Sequence, residues 1–252
     1  MVTGTLNKIL LLPAAFFIIT ICSSQAHHPV VKKGALTIRF VNTVQSNPLV
    51  PDSMVYQNAF GEAYRITKLK YYISNVSVNN NQHAFAEPNS YHLIDAGDTA
   101  TLHFSFNAPV NNYSSISFMI GVDSIKNVSG AQSGALDPVH GMFWTWNSGY
   151  VMFKLEGNSP VSTLINNRIE YHIGGFTGPD NVLQVVSLPL SLTVQEGTDN
   201  VIVIEAAIDK LWQGAGDIKI ATTPATMAPG ALAKKIAANY SKMFTVKSIL
   251  HQ

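Results

Sequence analysis

YRITKLKYYISNVSV, residues 64–78, is the stretch on which the fold turns. It alternates with period two, the mark of a half-buried strand, and it is long enough for two strand segments or one bent strand. The same period runs outward in both directions. LTIRFVNTV sets Leu36, Ile38 and Phe40 on one face, and TLHFSFNA sets Leu102, Phe104 and Phe106 against His103 and Ser105. YSSISFMIGV, YVMFKLEG, RIEYHIGGF, VLQVVSLPLSLTV and NVIVIEAAI supply further strands, divided by turn chemistry at NAPVNN, EGNSP, TGPDN and EGTDN. Strands recurring between such breaks predict an all-β fold, an antiparallel β-sandwich. Near the end, GALAKKIAANYSKMF places Leu232, Ile236, Tyr240, Met243 and Phe244 at helical spacing and predicts a C-terminal α-helix packed on the sandwich. The stretch before it, residues 214–230, reads as an irregular loop.

The 252 residues are 46% apolar and 12% charged, with a net charge of +1, so no electrostatic footprint for nucleic acid exists. Lys8 precedes the apolar run ILLLPAAFFIITI, which is short for a membrane span and is followed by SSQA. This predicts a signal peptide over residues 1–26, cleaved after Ala26, and a single domain over 27–252 in the periplasm, outside the cell or at its surface. The lone cysteine, Cys22, offers a rival reading as a lipidation site, the only route by which the chain would be membrane-attached. Either way the mature fold holds no disulfide.

Between two strands lies GVDSIKNVSGAQSGALDPVHGMFWTWNSGY, residues 121–150, which contains two of the three tryptophans. A connection of this length within a domain is usually functional. Alternation would put Trp144 and Trp146 side by side on one face. They could be core, a stacking platform for sugars, or part of a chemical site; an intact indole donates through N–H and has no lone pair for a metal. Asp123 and Asp137 read as turn caps before acid–base groups. Asn75 and Asn127 lie in NVS sequons, which are weak patterns. No GxSxG, HExxH, phosphate loop or paired-cysteine motif is present, so a non-enzymatic protein is expected.

Histidine is the ligand a chain without a mature thiol would use for copper or zinc. His92 and His172 each follow a tyrosine in a strand, and Gly174 and Gly175 beyond His172 permit close backbone approach. His140 stands four residues before Trp144. His83 and His103 read as surface or structural, and His251 as a loose end. Cleavage after Ala26 would leave His27 as the new terminus, where its amine and imidazole, with His28, could chelate copper.

YRITKLKYYISNVSV, SYHLIDAGD, FMIGVDSIKNVSGAQSGALDP, GMFWTWNSGYVMFKLEG, YHIGGFTGPDN and IAANYSKMFTV together carry a resemblance. On them the chain resembles the MbnP-like copper-binding protein family, in the branch common among Bacteroidetes-type bacteria. The resemblance implies a secreted or periplasmic protein of copper acquisition, storage or delivery. It also implies a di-haem partner of the MauG or cytochrome c peroxidase type that oxidises a tryptophan to kynurenine beside histidine ligands. Carried onto this chain, Trp144 or Trp146 is the candidate kynurenine precursor and His172 the best matching histidine; His92 fits the pattern of this branch without being assigned as a ligand, and His140 is a metal candidate by its place before Trp144 alone. Related proteins can carry Trp-x-His where this chain has Trp144-Thr145-Trp146, so a ligand supplied there in the relatives is either absent here or replaced from elsewhere. The alternative function is a carbohydrate-binding or adhesion module that stacks sugars on the tryptophan pair.

Overall fold

A strand whose side chains change face partway along must contain extra residues, and the central strand of this protein contains two such places. The computed structural model describes residues 1, 2, 4, 31–80, 82–146 and 149–251. The elements below belong to the unit from residue 31 onward. The expected cleavage site, Cys22, His27 and His28 lie outside the described residues. The strands are β1 (Lys33–Val44), β2 (Asn47–Pro48), β3 (Tyr56–Gln57), β4 (Ala63–Asn79), β5 (Ala84–Ala86), β6 (Tyr91–Asp95), β7 (His103–Pro109) and β8 (Asn111–Ile120). They continue as β9 (Phe143–Trp144), β10 (Gly149–Asn158), β11 (Arg168–Gly174), β12 (Gln184–Val194), β13 (Asp199–Ala207), β14 (Ala225–Thr226) and β15 (Phe244–His251).

Residues 63–79 are one bent strand. Burial falls on Tyr64 and Ile66, moves to Leu69, Tyr71 and Ile73, then returns to Val76 and Val78. Each change of face coincides with a bulge. Opposite β10 the register slips between Glu156 and Gly157, and opposite β8 it slips between Ser74 and Ser77. Asn75, at the second bulge, takes φ +53°, a left-handed conformation that asparagine tolerates better than most residues.

Around β4 the larger sheet runs β12-β8-β4-β10-β11-β14, with β6 and β5 also paired to β4. Lys70 pairs with both Lys154 and Asp95, and Ile73 with both Ile120 and His92. Hence β10 and β8 succeed one another along one edge of β4, and β6 lies along the other. The smaller sheet is β15-β13-β1-β2, with β7 also on β1. Its β1–β13 pair is parallel, aligning Ala35–Thr43 with Asp199–Ala207. Parallel neighbours require a long crossover, and here all of the larger sheet except β14 is built within that connection. Phe40 of the smaller sheet meets Tyr71 and Phe118 of the larger edge-to-face, with centroids 6.2 and 6.0 Å apart, as two facing sheets require. The fold is the expected all-β sandwich with a helix near its C-terminus.

The helix is shorter than its spacing predicts. It spans Ala231–Tyr240 and buries Ala233, Ile236, Ala237 and Tyr240. Tyr240 stacks on Phe153 at 5.1 Å and donates to the Val182 carbonyl at 2.9 Å. Phe244 instead begins β15, where its ring packs against Phe118 at 5.2 Å. Burial between the sheets, with pairing to β13, outweighs continuation of the helix. His251 is the last described residue of this strand, and its Nδ1 meets Asn200 Oδ1 at 2.7 Å. Among the described residues no helix is long and apolar enough to cross a membrane.

Candidate functional site: the tryptophan loop and its histidines

The connection from β8 to β10 folds back against the larger sheet, and buried polar side chains fix it there. Asp123 accepts from the Lys126 amide at 3.1 Å, capping the short helix Ser124–Val128, and also binds the Tyr91 hydroxyl. Burial alone would raise the Asp123 pKa; the hydrogen bonds from Tyr91, the Lys126 amide and Asn75 outweigh it and hold the carboxyl low. Asn127 is 2% exposed. Its amide donates to the Val122 and Asp123 carbonyls at 2.5 and 3.0 Å, and its oxygen accepts from the Tyr150 amide at 2.9 Å. This sequon asparagine is therefore structural. Asp137 caps the next turn through the Val139 amide at 2.9 Å, so both aspartates serve as caps.

Beneath the loop, Tyr150 meets Tyr72 and Phe143 at 5.7 and 5.1 Å and donates to the Leu136 carbonyl at 2.8 Å. Two lysines hold the loop from below: Lys70 reaches the His140 carbonyl at 3.4 Å and Lys154 the Gly141 carbonyl. Their places follow from register, because Asp95, Lys70, Lys154 and His172 form one row across β6, β4, β10 and β11.

The tryptophans are neighbours in different environments. Their centroids lie 5.2 Å apart with planes 39° from parallel. Trp144 is in β9 and is 7% exposed, whereas Trp146 lies in the following turn and is 64% exposed. The strand ends before alternation can carry Trp146 to the buried face. The Trp144 ring lies where a Cβ on Gly174 would be, since a methyl there would run into its benzo edge. His172 and Gly174 are alternate residues of β11, so both face the same way, roughly 7 Å apart along the strand. Beside Trp144 opens a cleft of about 240 Å³, bordered by Tyr150, Phe176, Thr177 and Asp180.

His172 is held by its sheet neighbours. Its Nε2 lies 2.9 Å from Glu156 Oε1, while Lys68 pairs with Glu156 Oε2 at 2.8 Å. The His172 hydrogen bond pulls the Glu156 carboxyl down to about 2, against the opposing effect of burial and with help from Lys68. A carboxylate only accepts, so Nε2 carries a proton, and in the neutral ring Nδ1 keeps its lone pair. Burial lowers the pKa of Lys154, which is opposite His172 in the register, while Glu156 opposes that shift.

His92 and His140 occur elsewhere. With His103 they line a cleft of about 230 Å³ between β6, β7 and the 134–140 turns. His92 and His172 are therefore not brought together, being separated by β4 and β10. Spacing did not single out His103; its position opposite Arg39, at the start of the edge strand β7, gives it this role. Among the described residues no group of three or more His, Cys, Asp or Glu side chains is arranged to hold a metal ion.

The fold and loop define a class: an all-β sandwich domain bearing a tryptophan-rich insertion between two strands of its larger sheet. The profile of the MbnP family matches residues 33–228, and the chain belongs to that family. Among solved structures it is similar to MbnP from Methylosinus trichosporium, at 14% identity and a TM-score of 0.50. That likeness covers 80% of this chain and 84% of the other, and at this identity it concerns the fold. No curated protein matches the chain.

Proposed function

We propose that this chain is an exported copper-binding protein without catalytic activity of its own, and that its copper site is completed when Trp144 is oxidised to kynurenine. Family membership supports the copper reading, and the N-terminal pattern of Lys8, apolar run and SSQA supports export. The observation that carries the choice of tryptophan is the Trp144 ring seated over Gly174, on the strand face that also presents His172.

The unmodified residues do not form a closed copper site, because an intact indole has no lone pair and, among the described residues, no three classical ligands converge. The oxidised residue would fit. Cleaving the indole C2–C3 bond places an oxygen on each carbon, and hydrolysis then releases formate and leaves an aryl amine and a ketone. The oxidant is two equivalents of hydrogen peroxide, each reduced to water at a di-haem partner, which together supply the two oxygen atoms and take up four electrons. His172 Nδ1 would then face nitrogen and oxygen donors, with Glu156 orienting the ring as carboxylates orient metal-binding imidazoles. Copper bound there would be held for acquisition, storage or delivery. Trp146, exposed and 5.2 Å from Trp144, gives the partner a surface contact. The pair does not form a flat exposed platform for sugars, because one ring is covered and the planes are tilted.

Peptide mass mapping of the mature protein from its native host tests the reading. The expected result is kynurenine at Trp144, with Trp146 and the buried Trp212 unchanged. An intact Trp144, or conversion confined to Trp146, would overturn it.

A further inference from the structure

Two indoles meet in the tryptophan loop, and only one of them is open to solvent. Trp144 is 7% exposed and Trp146 64%. Their centroids lie 5.2 Å apart, within the range at which aromatic rings pack, so an electron can pass between them with no atom intervening. The opening beside Trp144 measures about 240 Å³. A drug-sized ligand takes roughly 300–1,000 Å³, so this opening admits water and not a haem carried by another protein.

The other oxidisable ring bordering this opening is Tyr150, and it does not suit the passage of charge. It is fully buried, its hydroxyl donates to the Leu136 carbonyl at 2.8 Å, and burial raises its pKa. A phenol sheds its proton as it is oxidised, and a neutral carbonyl does not take one up. An indole can give up an electron first and a proton later. Among the described residues, the path from Trp144 to the surface therefore runs through Trp146.

We propose that Trp146 is an electron relay: a peroxide-oxidised haem of the partner draws electrons from Trp146 at the surface, and Trp144 refills it. The proposal deepens the copper reading and rests on it. In each passage Trp146 gives one electron to the haem and becomes a radical cation; Trp144 then gives one to Trp146 and restores it. Refilling across packed rings outpaces the addition of water, so no bond of Trp146 changes. Four passages remove the four electrons that opening the indole releases, while two waters add their oxygens to C2 and C3 and four protons leave. Two peroxides take up those electrons and protons and become four waters. The net is the exchange given above: two peroxides consumed, two oxygens gained by Trp144 and two waters formed.

Peptide mass mapping of Trp146→Phe and Trp146→Tyr proteins made in the native host, beside the parent, tests the relay. Phenylalanine keeps an apolar ring at the surface but is far harder to oxidise than an indole. Tyrosine keeps the ring and, facing water, can pass the charge. Kynurenine at position 144 should be largely lost in Trp146→Phe and restored in good part in Trp146→Tyr. A residue that served only as a contact would favour phenylalanine or treat the two alike. Thermal unfolding is the control for folding, and both variants should match the parent because Trp146 is exposed. Full conversion in Trp146→Phe, or equal loss in the two variants, would overturn the relay and leave the copper reading standing. A parent protein without kynurenine at position 144 would overturn both.

Discussion

At the scale of single residues, Gly174 decides where Trp144 goes. A methyl group at this position would strike the indole and crowd the Tyr150 carbonyl, while the strand backbone leaves little room to shift. Gly174→Ala should therefore destabilise the fold by about 1–3 kcal/mol, as overpacking does. Urea unfolding would measure the loss, and tryptophan fluorescence would report displacement of the ring; an unchanged midpoint and spectrum would refute the placement. Part of this was legible in the sequence, since glycines after a strand histidine signal close backbone approach and the Trp pair was the evident oddity. The environments of the two rings were not legible, because alternation predicts a shared face only while the strand lasts. Nor could spacing show that His92 and His172 would stand on opposite sides of β4 and β10. That separation comes from strand order, which local pattern does not encode.

At the scale of elements, the tryptophan loop is held by a few buried polar contacts rather than by regular pairing. Asn127 satisfies the Val122 and Asp123 carbonyls and the Tyr150 amide of β10. Asn127→Ala should cost about 1–3 kcal/mol for each buried group left unpaired. Amide hydrogen exchange should show the loss first in residues 122–150, and uniform protection there would count against the clamp. The long strand β4 carried its own warning in sequence, since it read as two segments or one bent strand, and two bulges resolve that choice. The helix near the C-terminus was legible for its first three turns. Its end was not, because Met243 and Phe244 continue the helical spacing while core burial assigns Phe244 to β15.

At the scale of the whole molecule, the sandwich is tied together by carboxylates whose charged form the fold prefers. Burial alone would raise the Glu62 pKa; hydrogen bonds from the Ala221 amide, Asn58 and the Ile220 amide, with Lys219 nearby, hold it below the ordinary value of 4.5. A depressed folded pKa adds stability above the unfolded value and loses it as pH falls through the folded one. The urea midpoint should therefore drop as pH falls below 4.5, with Glu156 contributing down to about 2. Glu62→Gln should be less stable at neutral pH and show a shallower acid slope; a slope equal to the parent's would contradict this assignment. The all-β class was legible from periodicity throughout, but the parallel β1–β13 pair was not, because register between strands so distant in sequence is a tertiary outcome. The central claim, a copper site assembled on oxidised Trp144 and His172, is tested most directly by a Cu(I) competition titration of the natively processed protein and its His172→Ala variant. The account predicts that affinity falls by at least about tenfold in the variant, as loss of a ligand should cost no less than loss of its orienting partner. Equal affinity in the two proteins would contradict it.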